Sequence, residues 1–288
     1  MPSELGIVIR RSTPKIVRRA GRKVQQTLVG LWAKYLCPIC DNRVTAFRHL
    51  PDFYIENFKK HGFPYALADT ETSNYLAYSC PFCSATDRDR LYALYLERQF
   101  GSLGTNGGLR IVNFAPSDAL ALFMQKQIAA STCPVFYRTA DYLRSDVDDK
   151  VDITNMPGYA DGQFDFFVCS HVLEHVTDDA KALQELHRIL RPGGKGIVMV
   201  PIILSLDQTQ EDPTVEDEAE RWRRFGQNDH VRLYSKNDFI KRIEQAGFRT
   251  HQLGEEYFGE ELFRRSGITR QSVLYVAEKG MADHNTAT

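Results

Sequence analysis

Two C-x-x-C pairs constrain this 288-residue chain more than any other feature in it. They are Cys37-Pro38-Ile39-Cys40 and Cys80-Pro81-Phe82-Cys83, with 39 residues between Cys40 and Cys80. A C-x-x-C turn aims two thiolates at one point, and two such turns supply the four soft ligands of a closed tetrahedral zinc site. Whatever the segment between them does, its ends must meet. A proline after the first cysteine of each pair helps fix the turn. Redox dithiols are the competing reading, but they usually come as single pairs beside a thioredoxin-like strand and helix. Iron takes the same ligands. Four thiolates leave no open coordination position, so the expected role is structural. The two remaining cysteines, Cys133 and Cys169, stand in or beside apolar runs and read as buried.

No run of about 18 apolar residues is present, so no membrane span is expected. The charged N-terminal stretch through Arg10, Arg11, Lys15, Arg18, Arg19, Arg22 and Lys23 lacks the apolar core of a signal peptide. With C-x-x-C pairs rather than a disulfide framework, the expected location is cytoplasmic. The formal net charge of −1 gives no global attraction for a polyanion. Residues 1–35 are a local exception, with eight Lys/Arg and one acid. Ile16, Ala20, Val24, Leu28, Leu31 and Tyr35 recur at helical spacing, so residues 1–36 read as a basic amphipathic helix. It either packs on its own protein or a partner subunit, or touches an anionic membrane surface peripherally through residues 10–35.

Residues 37–100 read as the cysteine module and a connecting helix over 84–100. Gly101–Gly108 reads as a flexible linker, and a larger domain as spanning 109–280. There strand and helix signals alternate. Leu109–Phe114 and Pro134–Thr139 are strand candidates, with a helix near Ala119–Ile128 between them. Phe164–Cys169 is apolar nearly without a break, as a strand buried on both faces should be. Thr177 is placed to cap the next helix, whose stripe is Leu183, Leu186, Ile189 and Leu190, with Pro192-Gly193-Gly194 stopping it. Gly196–Pro201 is a further strand. Ser235 and Asp238 resemble a capping box before Phe239, Ile240 and Ile243, with Gly247 ending that helix. Ser272–Ala277 is a late strand. The acid-rich stretch 207–220 reads as a loop or irregular insertion, and Met281–Thr288 as a frayed tail. The alternation predicts a parallel α/β sheet with helices on both faces.

The run Phe164-Asp165-Phe166-Phe167-Val168-Cys169-Ser170-His171-Val172-Leu173-Glu174-His175-Val176, with Arg188-Ile189-Leu190-Arg191-Pro192-Gly193-Gly194 downstream, carries a specific resemblance. In type, order and spacing it resembles the fourth strand, following helix and fifth strand of class I S-adenosylmethionine-dependent methyltransferases, over about residues 109–278. The resemblance implies a Rossmann-like sheet behind a small zinc-ribbon-like module, with S-adenosylmethionine as cofactor. In open α/β sheets the ligand lies beyond the carboxyl ends of the strands, where Ser170 and His171 fall.

Carried over singly, the family's first cofactor turn matches Asn113, Phe114, Ala115 and Pro116. Its ribose-binding acid matches Asp141, and two acceptor oxygens suit a vicinal diol. The acid near the adenine matches Asp152, followed by Ile153. One departure stands out: the family's turn is G-x-G-like, whereas this one contains no glycine. The sequence is similar here to a subgroup of zinc-bearing methyltransferase-like proteins with an Ala-Pro turn.

Methyl transfer is an in-line displacement, and a base helps when the acceptor is a hydroxyl or amine. His230 is the base candidate, with Asp229 or Arg232 orienting it or touching substrate; the competing reading is a loop whose polar groups satisfy one another. His171 is a second candidate, nearer the cofactor. Packing and capping are the expected roles of Glu174 and His175. The expected function is S-adenosylmethionine-dependent methylation of a small-molecule or glycan-linked acceptor. One alternative is an RNA methyltransferase with a zinc recognition module. Residues 37–83 hold four Lys/Arg against five acids, and 207–220 holds seven acids and no Lys/Arg, which argues against nucleic acid. The other alternative is a non-catalytic, methyltransferase-like binding protein.

Overall fold

The computed structural model describes residues 33–104 and 107–281. The basic helix expected over residues 1–36 lies outside them except at its last residues, as does the tail beyond Met281. The module opens with a short antiparallel ladder of β1 (Tyr35–Leu36) and β2 (Arg43–Val44) around the first cysteine turn. A helix over Asp52–His61 follows, ended by Gly62 in the left-handed conformation. The second cysteine turn runs directly into the long helix Asp87–Leu103. Thr86 and Asp89 close a reciprocal capping box at its start.

That helix passes through the expected boundary. It includes Gly101 and Ser102, which were read as linker, and it is buried against the sheet along much of its length. The Tyr95 ring stacks on Phe166 at 6.3 Å, and the Tyr92 hydroxyl meets Ser170 Oγ at 2.8 Å. One continuous apolar core runs from Cys37 and Ile39 in the module to Ala277 near the end.

The large sheet contains β3 (Leu109–Phe114), β4 (Val135–Asp141), β5 (Asp149–Lys150), β6 (Phe164–Ser170), β7 (Leu190–Met199), β10 (Phe248–Leu253) and β11 (Leu274–Lys279). A separate two-residue ladder pairs β8 (Gln210–Glu211) with β9 (Arg232–Leu233). The large sheet has the order β10-β11-β7-β6-β3-β4-β5. Strands β7, β6, β3, β4 and β5 are parallel, as the alternation predicted. The other two correct it: β11 runs antiparallel to β7, and β10 antiparallel to β11. The order departs in both directions from β3, making the switch point at which open α/β sheets hold ligands.

Local details differ for simple reasons. Asp178, not Thr177, caps the helix Asp179–Ile189, its carboxylate accepting the Lys181 N–H at 2.9 Å. Pro192-Gly193-Gly194 does not stop that helix; β7 begins at Leu190 and takes the triplet in at an irregularity in its pairing with β6. Ser235 does cap the helix Lys236–Gln245, but the Asp238 carboxylate turns to the Thr209 N–H instead of closing the box. The acidic stretch is partly regular, supplying β8 and the start of the helix Glu218–Phe225.

Candidate active site

The two cysteine turns fold alike. The N–H of Asp41 donates to the Cys37 carbonyl, that of Ser84 donates to the Cys80 carbonyl, each at 2.9 Å, and Asp41 and Ser84 are both left-handed. Their sulfurs converge. Cys37 Sγ lies 3.7 Å from Cys83 Sγ, Cys40 Sγ lies 3.8 Å from Cys80 Sγ, and all four lie within 4.8 Å of one another. Zinc–sulfur bonds of about 2.3 Å in a regular tetrahedron put sulfurs about 3.8 Å apart, so the cage fits that ion. Buried Arg90 ties the cage to the rest of the chain. It donates to the carbonyls of Ala85 and Ser266 and lies 3.8 Å over the Phe47 ring.

At the carboxyl ends of β3, β4 and β6 lies a cavity of about 730 Å³. Its volume is within the range of small-molecule sites. Phe114, Ala115, Asp141, Asp152, Ile153 and His171 all line it. Ala115 adopts φ 47°, the conformation a glycine would take most easily, so the glycine-free turn keeps a glycine-like backbone. Asp141 Oδ1 accepts the N–H groups of Leu143 and Arg144 at 2.7 and 2.9 Å. Asp152 Oδ1 likewise accepts the Thr154 N–H and hydroxyl at 2.8 and 2.7 Å. Each carboxylate is thus fixed through one oxygen, and no hydrogen bond from the described residues engages its Oδ2. Two fixed acids lining one cofactor-sized cavity fit a ligand with a diol at one point and an amine at another.

Three of the expected residues fall elsewhere. Asn113 and Ser170 line a neighbouring cavity of about 210 Å³ with Thr86, Arg88 and Tyr92. Pro116 lines none of the cavities described here; its carbonyl accepts from Arg144 at 2.7 Å.

A third pocket, about 130 Å³, is walled by module residues including Leu50, Tyr54, Phe58, Phe63 and Tyr78 on one side. Ile203, Phe225, His230 and Leu233 close the other. His171 borders all three cavities. It too is left-handed, at φ 56°. Its Nε2 meets the Arg88 guanidinium, and its Nδ1 lies 3.0 Å from Glu174 Oε1. Burial and the charge of Arg88 push its pKa down, so a neutral ring can accept from Arg88 and point its proton at Glu174.

His230 is buried, with Nδ1 3.2 Å from the Phe225 carbonyl and Nε2 without a partner among the described residues. Burial lowers its pKa to about 4. Asp229 does not orient His230; it faces the 730 Å³ cavity and lies 3.3 Å from His175 Nδ1. Arg232 is corrected as a substrate contact. It is buried, and its guanidinium donates to the carbonyls of Leu173, Val176 and Thr177 at 2.6–2.9 Å. It therefore holds the turn after β6. Glu174 and His175 belong to that turn, not to the following helix. Burial raises the Glu174 pKa, and the imidazoles of His171, His230 and His175 more than offset this, holding it at about 2.

Sequence reasoning missed Arg88 and the aromatic wall. The alternating charges of Asp87-Arg88-Asp89-Arg90, directly after a metal turn, were the available signal. Three of those four side chains are buried, which a solvated helix start would not require.

Comparison with known proteins identifies the family. The sequence model of a family described as "Methyltransferase domain" matches residues 55–253. The ubiquinone/menaquinone biosynthesis C-methyltransferase UbiE of Haemophilus ducreyi is 32% identical over 106 residues, 32% of this chain and 40% of that protein. The 2-phytyl-1,4-naphtoquinone methyltransferase of Nostoc punctiforme is 40% identical over 50 residues, 17% of this chain and 21% of that protein. The chain thus spans two fifths or less of these curated relatives. Among solved structures, the CMeT domain of the citrinin polyketide synthase is similar at a TM-score of 0.46 and 16% identity, covering 69% of this chain and 54% of that one. With the family model matching well over half of its length, the chain belongs to this methyltransferase-domain family.

Proposed function

We propose that this chain transfers the methyl group of S-adenosylmethionine to a small acceptor held in the aromatic-walled pocket. The observation that carries this reading is the position of His171, which borders the cofactor-sized cavity and the aromatic pocket at once. A methyl donor in the first and an acceptor in the second would meet there, and holding the two in line supplies much of the acceleration. S-adenosylmethionine supplies an activated methyl on a sulfonium sulfur. Asp141 would hold the ribose hydroxyls and Asp152 the adenine amine, with Ala115 giving close backbone approach.

In the reaction the acceptor–methyl bond forms as the sulfur–methyl bond breaks, and the acceptor's proton must go to a base. His230 is the base in this reading. It faces the aromatic pocket, its Nε2 is unpartnered, and its ring is neutral at neutral pH. Asp229 acts one step away by holding His175. The pocket wall favours an acceptor with a ring or apolar body over a bare glycan. The two relatives are named for ubiquinone/menaquinone biosynthesis and for a naphthoquinone, ring compounds which such a wall would suit. The four-cysteine cage would hold structural zinc and keep the module's wall in place.

Calorimetric titration of the zinc-replete protein with S-adenosylmethionine and S-adenosylhomocysteine tests the reading. Micromolar binding of both supports it and justifies an acceptor screen beginning with phenols and quinols. Absence of binding to either would overturn it in favour of a non-catalytic binding protein.

A further inference from the structure

Behind His171, the turn after β6 and the loop before β9 enclose a second group of metal-type ligands, of which only His230 has a role in the methyl-transfer reading. Glu174, His175 and His230 each bring one ligand atom, and these lie within 4.8 Å of one another. Such a cluster is often satisfied internally by hydrogen bonds. This one is so only in part: Glu174 Oε1 faces His171 Nδ1 at 3.0 Å, while Glu174 Oε2 and Nε2 of His230 are buried without a hydrogen-bond partner among the described residues. Leaving a buried polar atom unpaired costs about 1–3 kcal/mol, more if it is charged. Two such atoms in one place therefore need a common explanation.

The tautomers supply it. His230 Nδ1 is held by the Phe225 carbonyl at 3.2 Å, and His175 Nδ1 by the Asp229 carboxylate at 3.3 Å. Each contact places a proton on Nδ1, so Nε2 is the nitrogen left to meet a metal ion. Metal-binding histidines are oriented this way, with a carbonyl or carboxylate on the far nitrogen. The rings stand edge to face with centroids 4.7 Å apart. Two imidazoles and a carboxylate suit zinc, cobalt, nickel or iron, and leave coordination positions open for an outside ligand.

We propose that Glu174, His175 and His230 bind a divalent transition-metal ion, distinct from the four-cysteine site, between the cofactor-sized cavity and the aromatic pocket. His175 lines the first and His230 the second. The ion would take an oxygen donor, such as a hydroxyl of the acceptor, in an open position. That last role rests on the methyl-transfer reading, and an ion on Nε2 of His230 replaces the proton which that reading assigns to the same nitrogen. The site itself stands or falls on binding alone.

The test uses the full-length protein with zinc in the cysteine cage, confirmed by metal analysis, titrated with Co²⁺. One Co²⁺ per chain should bind with weak ligand-field bands and no intense thiolate charge-transfer bands. Glu174→Gln should abolish this binding. Because that side chain is fully buried, His175→Ala at the partly exposed ring provides a second arm, and Asp229→Asn should weaken binding by about tenfold through the outer contact. Zinc content should be unchanged in all three. No cobalt binding at millimolar concentration would overturn the proposal, as would cobalt that appears only with thiolate bands. Binding unaffected by His175→Ala would also overturn it. A parallel titration with S-adenosylhomocysteine reads the cofactor cavity separately, so cobalt binding without it would leave the ion site standing while the methyl-transfer reading falls.

Discussion

Ala115 and His171 end neighbouring parallel strands in the same left-handed conformation, at φ 47° and 56°. Among the described residues only Asp41 and Ser84, in the two cysteine turns, share it without being glycine. Among the described residues, every non-glycine residue with this backbone therefore borders the cofactor-sized cavity or belongs to a cysteine turn. Such strain costs about 1–2 kcal/mol for an L-residue. Replacing Ala115 with glycine should relieve it, offset in part by the added freedom of the unfolded chain. Ala115→Gly should raise stability by up to about 1 kcal/mol by denaturant titration and leave S-adenosylhomocysteine affinity intact. Ala115→Val should lower both, since β-branched residues resist this conformation. A glycine variant clearly less stable than the parent would show that the methyl group's contacts outweigh the strain.

Asp141→Ala should weaken S-adenosylhomocysteine binding by about tenfold or more, the loss expected when a charged acceptor leaves a hydrogen bond worth about 1.5–3 kcal/mol. The fold should survive, because Asp141 braces only the turn at Leu143 and Arg144. Calorimetry beside circular dichroism separates the two effects. Unchanged affinity would remove Asp141 from the cofactor site.

Stripping the four-cysteine site should affect the two main cavities unequally. The aromatic pocket takes much of its wall from residues 50–78, whereas the cofactor-sized cavity is lined by residues from Phe114 onward. Cys80→Ser, or a strong chelator, should loosen the module and abolish acceptor turnover while S-adenosylhomocysteine binding persists. Loss of both together would mean that the module's shared core with the sheet cannot be separated from it.

Acid should destabilise the fold through identifiable pairs. Hydrogen bonding from Arg138 lowers the Asp149 pKa, and hydrogen bonding from Arg188 lowers that of Glu185. A carboxylate whose folded pKa lies below its unfolded value contributes stability that is full above the unfolded value, near pH 4. That contribution is lost as pH falls through the folded value. Unfolding midpoints should therefore drop below about pH 4, and the double variant Asp149→Asn/Glu185→Gln should show a shallower drop from a lower starting stability.

The parts of the fold legible in the sequence were those with local signatures. Phe164–Cys169 read as a fully buried strand because nearly every side chain is apolar, and all six residues are buried. The cysteine turns read as a cage because ligand spacing is itself local. Asp141 and Asp152 were reached through order and spacing along a resembled family, and both line one cavity. The antiparallel edge was not legible. Strand β10 carries Arg249, Thr250, His251 and Gln252, and nothing in that polar run states its direction or its pairing with β11. The aromatic wall was hidden for a related reason. Tyr54, Phe58 and Phe63 look like the small core of a module, and only tertiary packing turns them towards Phe225 and His230. Arg88 meets His171 across 83 residues of sequence, a separation that no local pattern spans.

The module's wall has a consequence for how such a chain can change over time. Much of the aromatic pocket's wall comes from residues 50–78, none of which line the cofactor-sized cavity, and His171 borders both. In the proposed reading, mutations between Leu50 and Tyr78 would redraw one side of the aromatic pocket and leave the lining of the donor's cavity as it is. Duplicated copies could drift apart in what they modify by rewriting that one segment. An engineer could follow the same route, exchanging residues 50–78 between relatives and keeping the cysteine turns and the sheet as a fixed chassis.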